Sequence, residues 1–139
     1  MTARSFLDAN ILVYADDHDA GSKQARSIEL IESAIRSGRG VLSTQVLGEY
    51  FHASTRKVNT PAEVARANVE VYMNLEMVVL QAEDVLAAID IVRLHGVSYW
   101  DGLILRAAQR SRCRYLYTED LNHGQKFDGL QVVNPFQTT

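Results

Sequence analysis

Short apolar runs alternate with longer helical patterns along this chain of 139 residues, and the alternation limits the fold more than any other feature. The apolar runs predict strands at 5–8, 40–43, 77–80, 115–117 and 131–133. The helical patterns lie at 22–36, 45–56, 61–75, 83–94 and 99–112. Strands that alternate with helices favour a three-layer α/β/α sandwich with a central, mostly parallel sheet. Since no repeat, low-complexity run or linker interrupts the pattern, residues 1–139 are predicted to form a single domain.

The composition excludes several classes of protein. The formal net charge of −3 gives no overall positive field that would attract a nucleic acid. Because Cys113 is the single cysteine, the chain can form neither an internal disulfide nor a cysteine-based zinc site. No apolar stretch reaches the roughly 20 residues that span a bilayer, and Asp8 and Asn10 interrupt any signal-peptide core. We therefore expect a cytoplasmic protein with no membrane partner.

The segment FLDANILVY places an acid and an amide in the most apolar part of the chain. Asp8 closes the first predicted strand, and Asn10 lies in the turn expected after it. A buried ionised carboxylate costs several kcal/mol unless it is paired or bound to a cation. Asp8 is therefore a candidate ligand for a cation.

Three further acids occupy positions that are each easy to explain alone. Glu49 lies at the edge of the apolar arc of its helix, as a boundary residue would. Asp101 lies in a first helical turn, where the helix dipole favours an acid, although it projects towards the predicted core side of its helix. The predicted core side consists of Trp100, Leu103, Ile104, Ala107 and Ala108, and the predicted solvent side consists of Gly102, Arg106, Gln109 and Arg110. Asp120 follows a predicted strand in a segment that also reads as an ordinary turn.

The combination of acids is more informative than any single one. Strand ends and helix starts meet outside the carboxyl edge of a parallel sheet, so the four acids are expected along one edge. Clustered carboxylates repel one another, and some would take up protons unless a cation compensates. Oxygen ligands without thiolates suit Mg²⁺ or Mn²⁺, and a divalent ion held by acids is typical equipment for hydrolysing phosphodiesters.

Over essentially its whole length the chain resembles a PIN domain, and most closely the VapC-type toxin ribonucleases of bacterial toxin–antitoxin pairs. The resemblance rests on the order and spacing of FLDANILVY, LGEYF, SYWDGLIL and YLYTEDLNHGQ. It implies a metal-dependent endoribonuclease that uses Mg²⁺ or Mn²⁺ to hydrolyse RNA phosphodiester bonds. In such enzymes a metal-activated water attacks the phosphorus and leaves a 5′-phosphate and a 3′-hydroxyl.

The resemblance also implies a role for individual residues. The positions that match the family's catalytic acidic quartet are Asp8, Glu49, Asp101 and Asp120. Asp8 and Asp101 match the direct metal ligands, while Glu49 would bind or orient a metal-bound water and Asp120 a second ion or outer water. Asn10 and Thr118 match polar positions that support the quartet through hydrogen bonds.

Partners follow from the resemblance alone. It implies an RNA substrate, a small cognate antitoxin whose C-terminal segment covers the acidic site, and a homodimer. The helical pair at 45–75 is a candidate docking surface, although an internal core face is the commoner explanation. The local basic run that could contact RNA consists of Arg106, Arg110, Arg112 and Arg114, and a solvated helix face is its simpler interpretation. Arg56 and Lys57 form a second candidate for phosphate contact.

Two other functions compete with this one. A PIN-like module could bind RNA or a partner without cleavage, although the presence of all four acids does not favour a degenerate site. A receiver-type phosphoacceptor domain would also gather acids and Mg²⁺ at strand ends. Such a domain needs an acid closing the third strand and a lysine closing a late one, but Gln81 and Ala82 follow the third strand and Thr118 follows the fourth.

Overall fold

A computed structural model of the chain describes residues 1–137, so residues 138 and 139 of the predicted domain lie outside the described part. The strands are β1 (Ser5–Leu7), β2 (Gly40–Ser43), β3 (Glu76–Val78), β4 (Tyr115–Tyr117), β5 (Lys126–Phe127) and β6 (Leu130–Val133). The helices are α1 (Ala9–Asp16), α2 (Ser22–Ser37), α3 (Thr44–Lys57), α4 (Ala62–Tyr72), α5 (Ala82–His95) and α6 (Tyr99–Arg110).

The strands form one sheet in the order β3-β2-β1-β4-β6-β5. The pairs β1–β2, β1–β4, β2–β3 and β4–β6 are parallel, and β5 pairs with β6 in the antiparallel sense. Helices α1 to α4 form one packed group, and α5 packs against α6. Right-handed crossovers place these two groups on opposite faces of the sheet. The predicted three-layer α/β/α architecture with a mostly parallel sheet is therefore confirmed.

The strand order reverses its direction between β1 and β4. From β1 the chain moves outward through β2 to β3, and it then returns across the sheet to add β4 on the other side of β1. In open α/β sheets, ligands bind in the crevice outside the carboxyl ends of the strands at such a reversal. The fold therefore points to the space just beyond Leu7 and Tyr117, which are paired in the β1–β4 register.

The core lies on both faces of the central strands. Phe6 and Leu7 of β1, Leu116 of β4 and Val132 of β6 are completely inaccessible to solvent. Such continuous burial is expected for a parallel sheet that helices cover on both sides. It explains why these strands appear in the sequence as plain apolar runs rather than alternating ones.

Helix α1 was not predicted, since the sequence was interpreted as a strand that runs into a turn. The helix begins directly after Asp8, whose side chain accepts a hydrogen bond from the Ala9 N–H at 2.7 Å. It has only 8 residues and is mostly apolar, so it lacks the polar stripe that marks a surface helix. The two-residue strand β5 was also missed, and other boundaries differ from the predicted ones by a few residues.

The spacing of Ile28, Ile31 and Ile35 in the sequence predicts that all three share the buried face of α2, but the observed buried face differs. Ile28 and Ile35 are 39% and 43% exposed, whereas Leu30 and Ala34 are buried beside Ile31. The helix is thus rotated so that only one of the three predicted isoleucines enters the core.

The buried side of α6 agrees with the prediction in part, since Leu103, Ile104, Ala107 and Ala108 are buried. Trp100 is 62% exposed, and Gly102, predicted to face water, is buried. A Cβ atom on Gly102 would lie 3.0 Å from the Ala88 carbonyl oxygen, so the glycine allows α5 to approach closely. Helix α5 therefore covers the side of α6 that the sequence suggested was wet.

Within residues 1–137, no helix combines the length and the apolar character required to cross a membrane.

Candidate active site

Four segments that carry the predicted acids meet at the carboxyl edge of the sheet. Asp8 and Thr118 directly follow the parallel strands β1 and β4, and Glu49 lies in the second turn of α3, which directly follows β2. Helix α6 leads back to the start of β4, so its first turn with Asp101 lies at the same edge. Chain topology, rather than proximity in sequence, gathers these side chains.

Asp8 is held in place by its neighbours and is only 5% exposed. Its backbone N–H donates to the Tyr117 carbonyl at 3.0 Å, which continues the β1–β4 ladder by one residue. Its Oδ1 accepts from the Ala9 N–H, and its Oδ2 accepts from the Thr118 hydroxyl at 2.8 Å. Each carboxylate oxygen retains a further lone pair for another partner.

Thr118 connects Asp8 to two other predicted residues. Its Oγ1 accepts from the Asn10 side-chain amide at 3.2 Å and from the Asp120 backbone N–H at 3.1 Å. The Asn10 amide also donates to Oδ2 of Asp120 at 3.1 Å. Because Thr118 is fully buried, this set of bonds fixes Asp8, Asn10 and Asp120 relative to one another.

Glu49 and the start of α6 are joined by Gln45, which the sequence analysis did not identify. The Gln45 amide donates to Glu49 Oε1 at 2.8 Å and to the Trp100 carbonyl at 3.2 Å. Gln45 lies one turn before Glu49 on α3, and this four-residue spacing was the available signal. Asp101 follows Trp100 and is half-buried, and its backbone N–H donates to the Ser98 hydroxyl at 3.1 Å as part of the α6 N-cap.

The charges of the acids act on one another. Burial raises the pKa of Asp8 to about 7, and the charges of Asp120 and Glu49 contribute to the rise, while bonds from Thr118 and Ala9 oppose it. Burial also raises the pKa of Asp101, which again feels the charge of Asp120. Ionising these groups together is therefore unfavourable without a compensating cation.

A cleft of about 390 Å³ extends from the acids between two helices. We call it the α1–α3 cleft and define it by Asn10, Val13 and Asp17 on the α1 side and by Glu49, Ala53 and Lys57 on the α3 side. Glu119 and Asp120 also line it, so two of the four predicted acids, Glu49 and Asp120, face the cleft.

Glu119 beside the site is already neutralised by the chain itself. The Lys23 ammonium lies 3.1 Å from Glu119 Oε2, and the Tyr14 hydroxyl donates to Glu119 Oε1. Lys23 also lies over the rings of Tyr14 and Phe136, at 4.9 and 5.5 Å from their centroids. Glu119 therefore holds its neighbour Asp120 in a fixed segment without adding an unpaired charge.

The chemistry of the donor set fits a hard divalent cation. The Oδ1 atom of Asn10 and the Oε1 atom of Gln45 are buried and have no hydrogen-bond partner, next to the carboxylates of Asp120 and Glu49. Oxygen atoms from carboxylates, amides and water are the ligands that Mg²⁺ and Mn²⁺ prefer. Among residues 1–137, however, no three His, Cys, Asp or Glu side chains already form a closed set of metal ligands. An ion here would use water and side-chain adjustment to complete its shell.

Two of the basic residues considered for RNA contact have structural partners instead. Arg106 Nε lies 2.9 Å and Arg110 Nη1 2.6 Å from the carboxylate of Asp84, which is 1% exposed on α5. They therefore join α5 to α6. Lys57, by contrast, lines the α1–α3 cleft.

The PIN domain family model matches residues 5–126. No curated protein matches the chain.

Several solved structures share the fold. The toxin VapC20 of Mycobacterium tuberculosis, described as cleaving the sarcin–ricin loop, has a TM-score of 0.70 and 18% identity over 84% of this chain and 89% of its own. A toxin–antitoxin complex of Klebsiella pneumoniae has a TM-score of 0.70 and 17% identity over 96% and 99%. VapBC2 of Rickettsia felis, bound to a DNA fragment from its promoter, has a TM-score of 0.64 and 18% identity over 92% and 96%.

The matched residues include four of the six strands, β1 to β4, and every segment that carries one of the acids. The chain belongs to the PIN domain family.

Proposed function

We propose that this chain is a metal-dependent endoribonuclease and the toxin of a VapBC-type toxin–antitoxin pair. The observation that carries the proposal is the hydrogen-bonded unit of Asp8, Thr118, Asn10 and Asp120 at the reversal of strand order, with Asp101 and Glu49 acting on it electrostatically. Its fold is shared with toxins of such pairs, one of which is described as cleaving RNA of the sarcin–ricin loop.

Asp8 and Asp101 are the proposed direct ligands of Mg²⁺ or Mn²⁺, with Glu49 and Asp120 as further acidic groups. Such an ion lowers the pKa of water and offsets the negative charge that develops on a phosphodiester during attack. The raised pKa values of Asp8 and Asp101 support this proposal, because a cation would stabilise their ionised forms.

The residues around the acids would hold the carboxylates in position and leave oxygen atoms free to accept hydrogen bonds. Thr118 and the Ala9 N–H fix both oxygens of Asp8, so the orientation of that carboxylate does not depend on a ligand. Gln45 holds Oε1 of Glu49, while Oε2 remains available to accept a hydrogen bond from water in the cleft. Asn10 fixes Asp120 and keeps its own Oδ1 without a partner.

The proposed partners are a single-stranded or looped RNA, a small antitoxin and a second copy of the chain, and the proposed location is the cytoplasm. Exposed apolar side chains on the helical pair α3 and α4, namely Phe51, Val64 and Val71, support docking of an antitoxin there. Val85, Leu86 and Ile89 on α5 form a separate exposed apolar group that suits contact between copies. Solved structures with this fold include a toxin–antitoxin complex.

The proposal is tested by incubating the purified protein with a pool of single-stranded RNA in Mg²⁺ or Mn²⁺, with and without EDTA. We expect cleavage that EDTA abolishes, and products with 5′-phosphate and 3′-hydroxyl ends. Asp101→Asn should reduce the rate by at least about 100-fold, in keeping with loss of a charged group at a reacting centre. Asp90→Asn, which removes an exposed acid from α5, is the matched control and should cleave normally.

Two results would contradict the proposal. Retention of cleavage in Asp101→Asn would exclude the proposed metal site. Failure of clean wild-type protein to cut any RNA in the pool would favour a PIN-like module that binds RNA or a partner without cleavage.

A further inference from the structure

The α1–α3 cleft has two walls that follow directly from helical spacing. Asn10, Val13 and Asp17 are three and four residues apart, so they share one face of α1 and its C-cap. On α3 the residues four apart share the facing side, and they are Glu49, Ala53 and Lys57. The cleft is thus built by two regular helices rather than by loops, which gives it a defined shape.

One end of the cleft is acidic, and the other carries one charge of each sign. Both helices start at the carboxyl edge of the sheet, where Asn10 and Glu49 lie beside the acids. Seven residues along α1 and eight along α3, or about 10 to 12 Å at 1.5 Å per residue, the cleft ends at Asp17 and Lys57. Among residues 1–137, Lys57 is the cation that lines the cleft, and it forms no salt bridge there.

The middle of the cleft is apolar. Val13 and Ala53 line it, with Val58 next to Lys57 at the far end, and the Tyr14 hydroxyl beside them donates a hydrogen bond to Glu119. The Tyr14 ring packs edge-on against Phe136 at 5.1 Å between centroids, so it is fixed rather than free to swing. Two successive phosphates of an RNA strand are joined by a ribose that carries a flat base, and a cleft with an apolar middle and polar ends accommodates such a unit.

We propose that the α1–α3 cleft binds the nucleotide next to the scissile bond, with Lys57 on the phosphate that follows it. This inference rests on the proposed nuclease function, since that function places the scissile phosphate at the acidic end. The nucleoside then lies against Val13 and Ala53, and its next phosphate reaches the Lys57 ammonium at the far end. The volume of about 390 Å³ is at the small end of the range for ligand sites, as expected for one nucleotide.

Lys57 has a matched control in its neighbour. Arg56 carries the same charge on the same last turn of α3 and is exposed, but it does not line the cleft. Steady-state cleavage is measured on fluorescein-labelled single-stranded RNA of randomised sequence. We expect Lys57→Ala to raise KM about tenfold with little change in kcat, because one charge-assisted contact is worth roughly that factor. Arg56→Ala should stay within about twofold, and Lys57→Arg should retain most of the affinity.

The salt dependence of binding gives a readout that a merely structural role would not move. A lost phosphate contact should lower the slope of log KM against log salt by about 0.7 for Lys57→Ala, and the slope should be unchanged for Arg56→Ala.

A second pair of variants tests the apolar middle of the α1–α3 cleft. Ala53→Phe fills the cleft and should raise KM, whereas His52→Phe adds the same ring on the exposed side of α3 and should not.

The outcomes separate this inference from the function on which it rests. Equal KM values and salt slopes for Lys57→Ala and Arg56→Ala, or an unchanged KM for Ala53→Phe, would overturn the subsite while Asp101→Asn still tests the nuclease. If the wild-type protein leaves RNA uncut, the nuclease proposal fails, and fluorescence anisotropy with the same RNA then decides the subsite. Equal affinity of the Lys57→Ala and Arg56→Ala proteins for that RNA would overturn it.

Discussion

Replacing Asp8 with asparagine should stabilise the metal-free protein at neutral and alkaline pH. Asp8 is 5% exposed, and its pKa is raised from 3.8 to about 7, first by burial. The pKa of Asp8 is therefore higher in the folded protein than in the unfolded one. Between these two pKa values, Asp8 is protonated in the folded wild-type protein and ionised in the unfolded one. Wild-type stability from this group is greatest below the unfolded pKa and is lost as pH rises towards 7.

The size of the effect follows from the shift. Three pKa units correspond to about 4 kcal/mol of destabilisation once Asp8 is ionised in the fold. The asparagine keeps an acceptor for the Ala9 N–H but removes the acceptor for the Thr118 hydroxyl, which costs about 1 kcal/mol. We therefore expect Asp8→Asn to gain about 3 kcal/mol at pH 8 and to be less stable than the wild-type protein by about 1 kcal/mol near pH 4.

The assay is urea unfolding of both proteins in EDTA at several pH values, with the difference in unfolding free energy plotted against pH. Asp90→Asn, at an exposed position on α5, controls for the change in net charge. Adding Mg²⁺ should then stabilise the wild-type protein more than Asp8→Asn, since a ligand stabilises only the state that binds it. A difference that is constant with pH, or an Asp8→Asn protein less stable than wild type at pH 8, would refute the argument that Asp8 is a buried, uncompensated acid.

Three further perturbations test other parts of the structure. Thr118→Val removes the hydroxyl that joins the acids and should lower cleavage 10- to 100-fold in the RNA assay while the fold persists by circular dichroism. Gly40→Ala places a Cβ atom 2.4 Å from the Cβ atom of Ala34, and it should lower the free energy of unfolding measured in urea by about 1–3 kcal/mol. Gly48→Ala on α3, where a Cβ atom meets open space, should leave that free energy unchanged or raise it by up to about 1 kcal/mol. Asp84→Asn should cost about 2 kcal/mol near pH 7. Burial raises the pKa of Asp84, but hydrogen bonds from the Gln81 backbone and two arginines outweigh it, so the folded-state pKa is lower than the unfolded one. The stability that Asp84 contributes is therefore present above the unfolded pKa and is lost as pH falls through the folded-state pKa. A cost of Asp84→Asn that does not change with pH would contradict this argument.

The sheet could be predicted because buried strands appear in the sequence as continuous apolar runs. Strands covered on both faces need apolar residues throughout, as in VLS at β2 and YLY at β4, and helices must connect parallel strands. The gathering of acids at one edge then follows from chain direction alone. The motifs resembling a PIN domain identified the same acids by a separate route.

Features set by contacts between helices could not be predicted. Helix α1 is short, packs between α2 and α3 and is mostly apolar, so its sequence shows no clear helical period. The burial of Gly102 depends on how closely α5 approaches α6, and the pairing of Arg106 with Asp84 joins positions 22 residues apart. These are properties of packing between elements rather than of any one segment.

The two hydrogen bonds of Gln45 could be predicted only in part. Its spacing to Glu49 is visible in the sequence, but its bond to the Trp100 carbonyl depends on where α6 begins. The residues that hydrogen-bond to the acids could thus be predicted only in part. Asn10 and Thr118 followed from the resemblance to the PIN domain, whereas Gln45 was identified only in the structure.

Anomalous diffraction at the manganese edge, from crystals of the wild-type protein soaked in Mn²⁺, tests the central claim most directly. We predict one peak at the carboxyl edge between β1 and β4, about 2.1 Å from oxygen atoms of both Asp8 and Asp101, and its loss in Asp101→Asn crystals. A peak elsewhere on the protein, or none at this edge from protein that still cleaves RNA, would contradict the account.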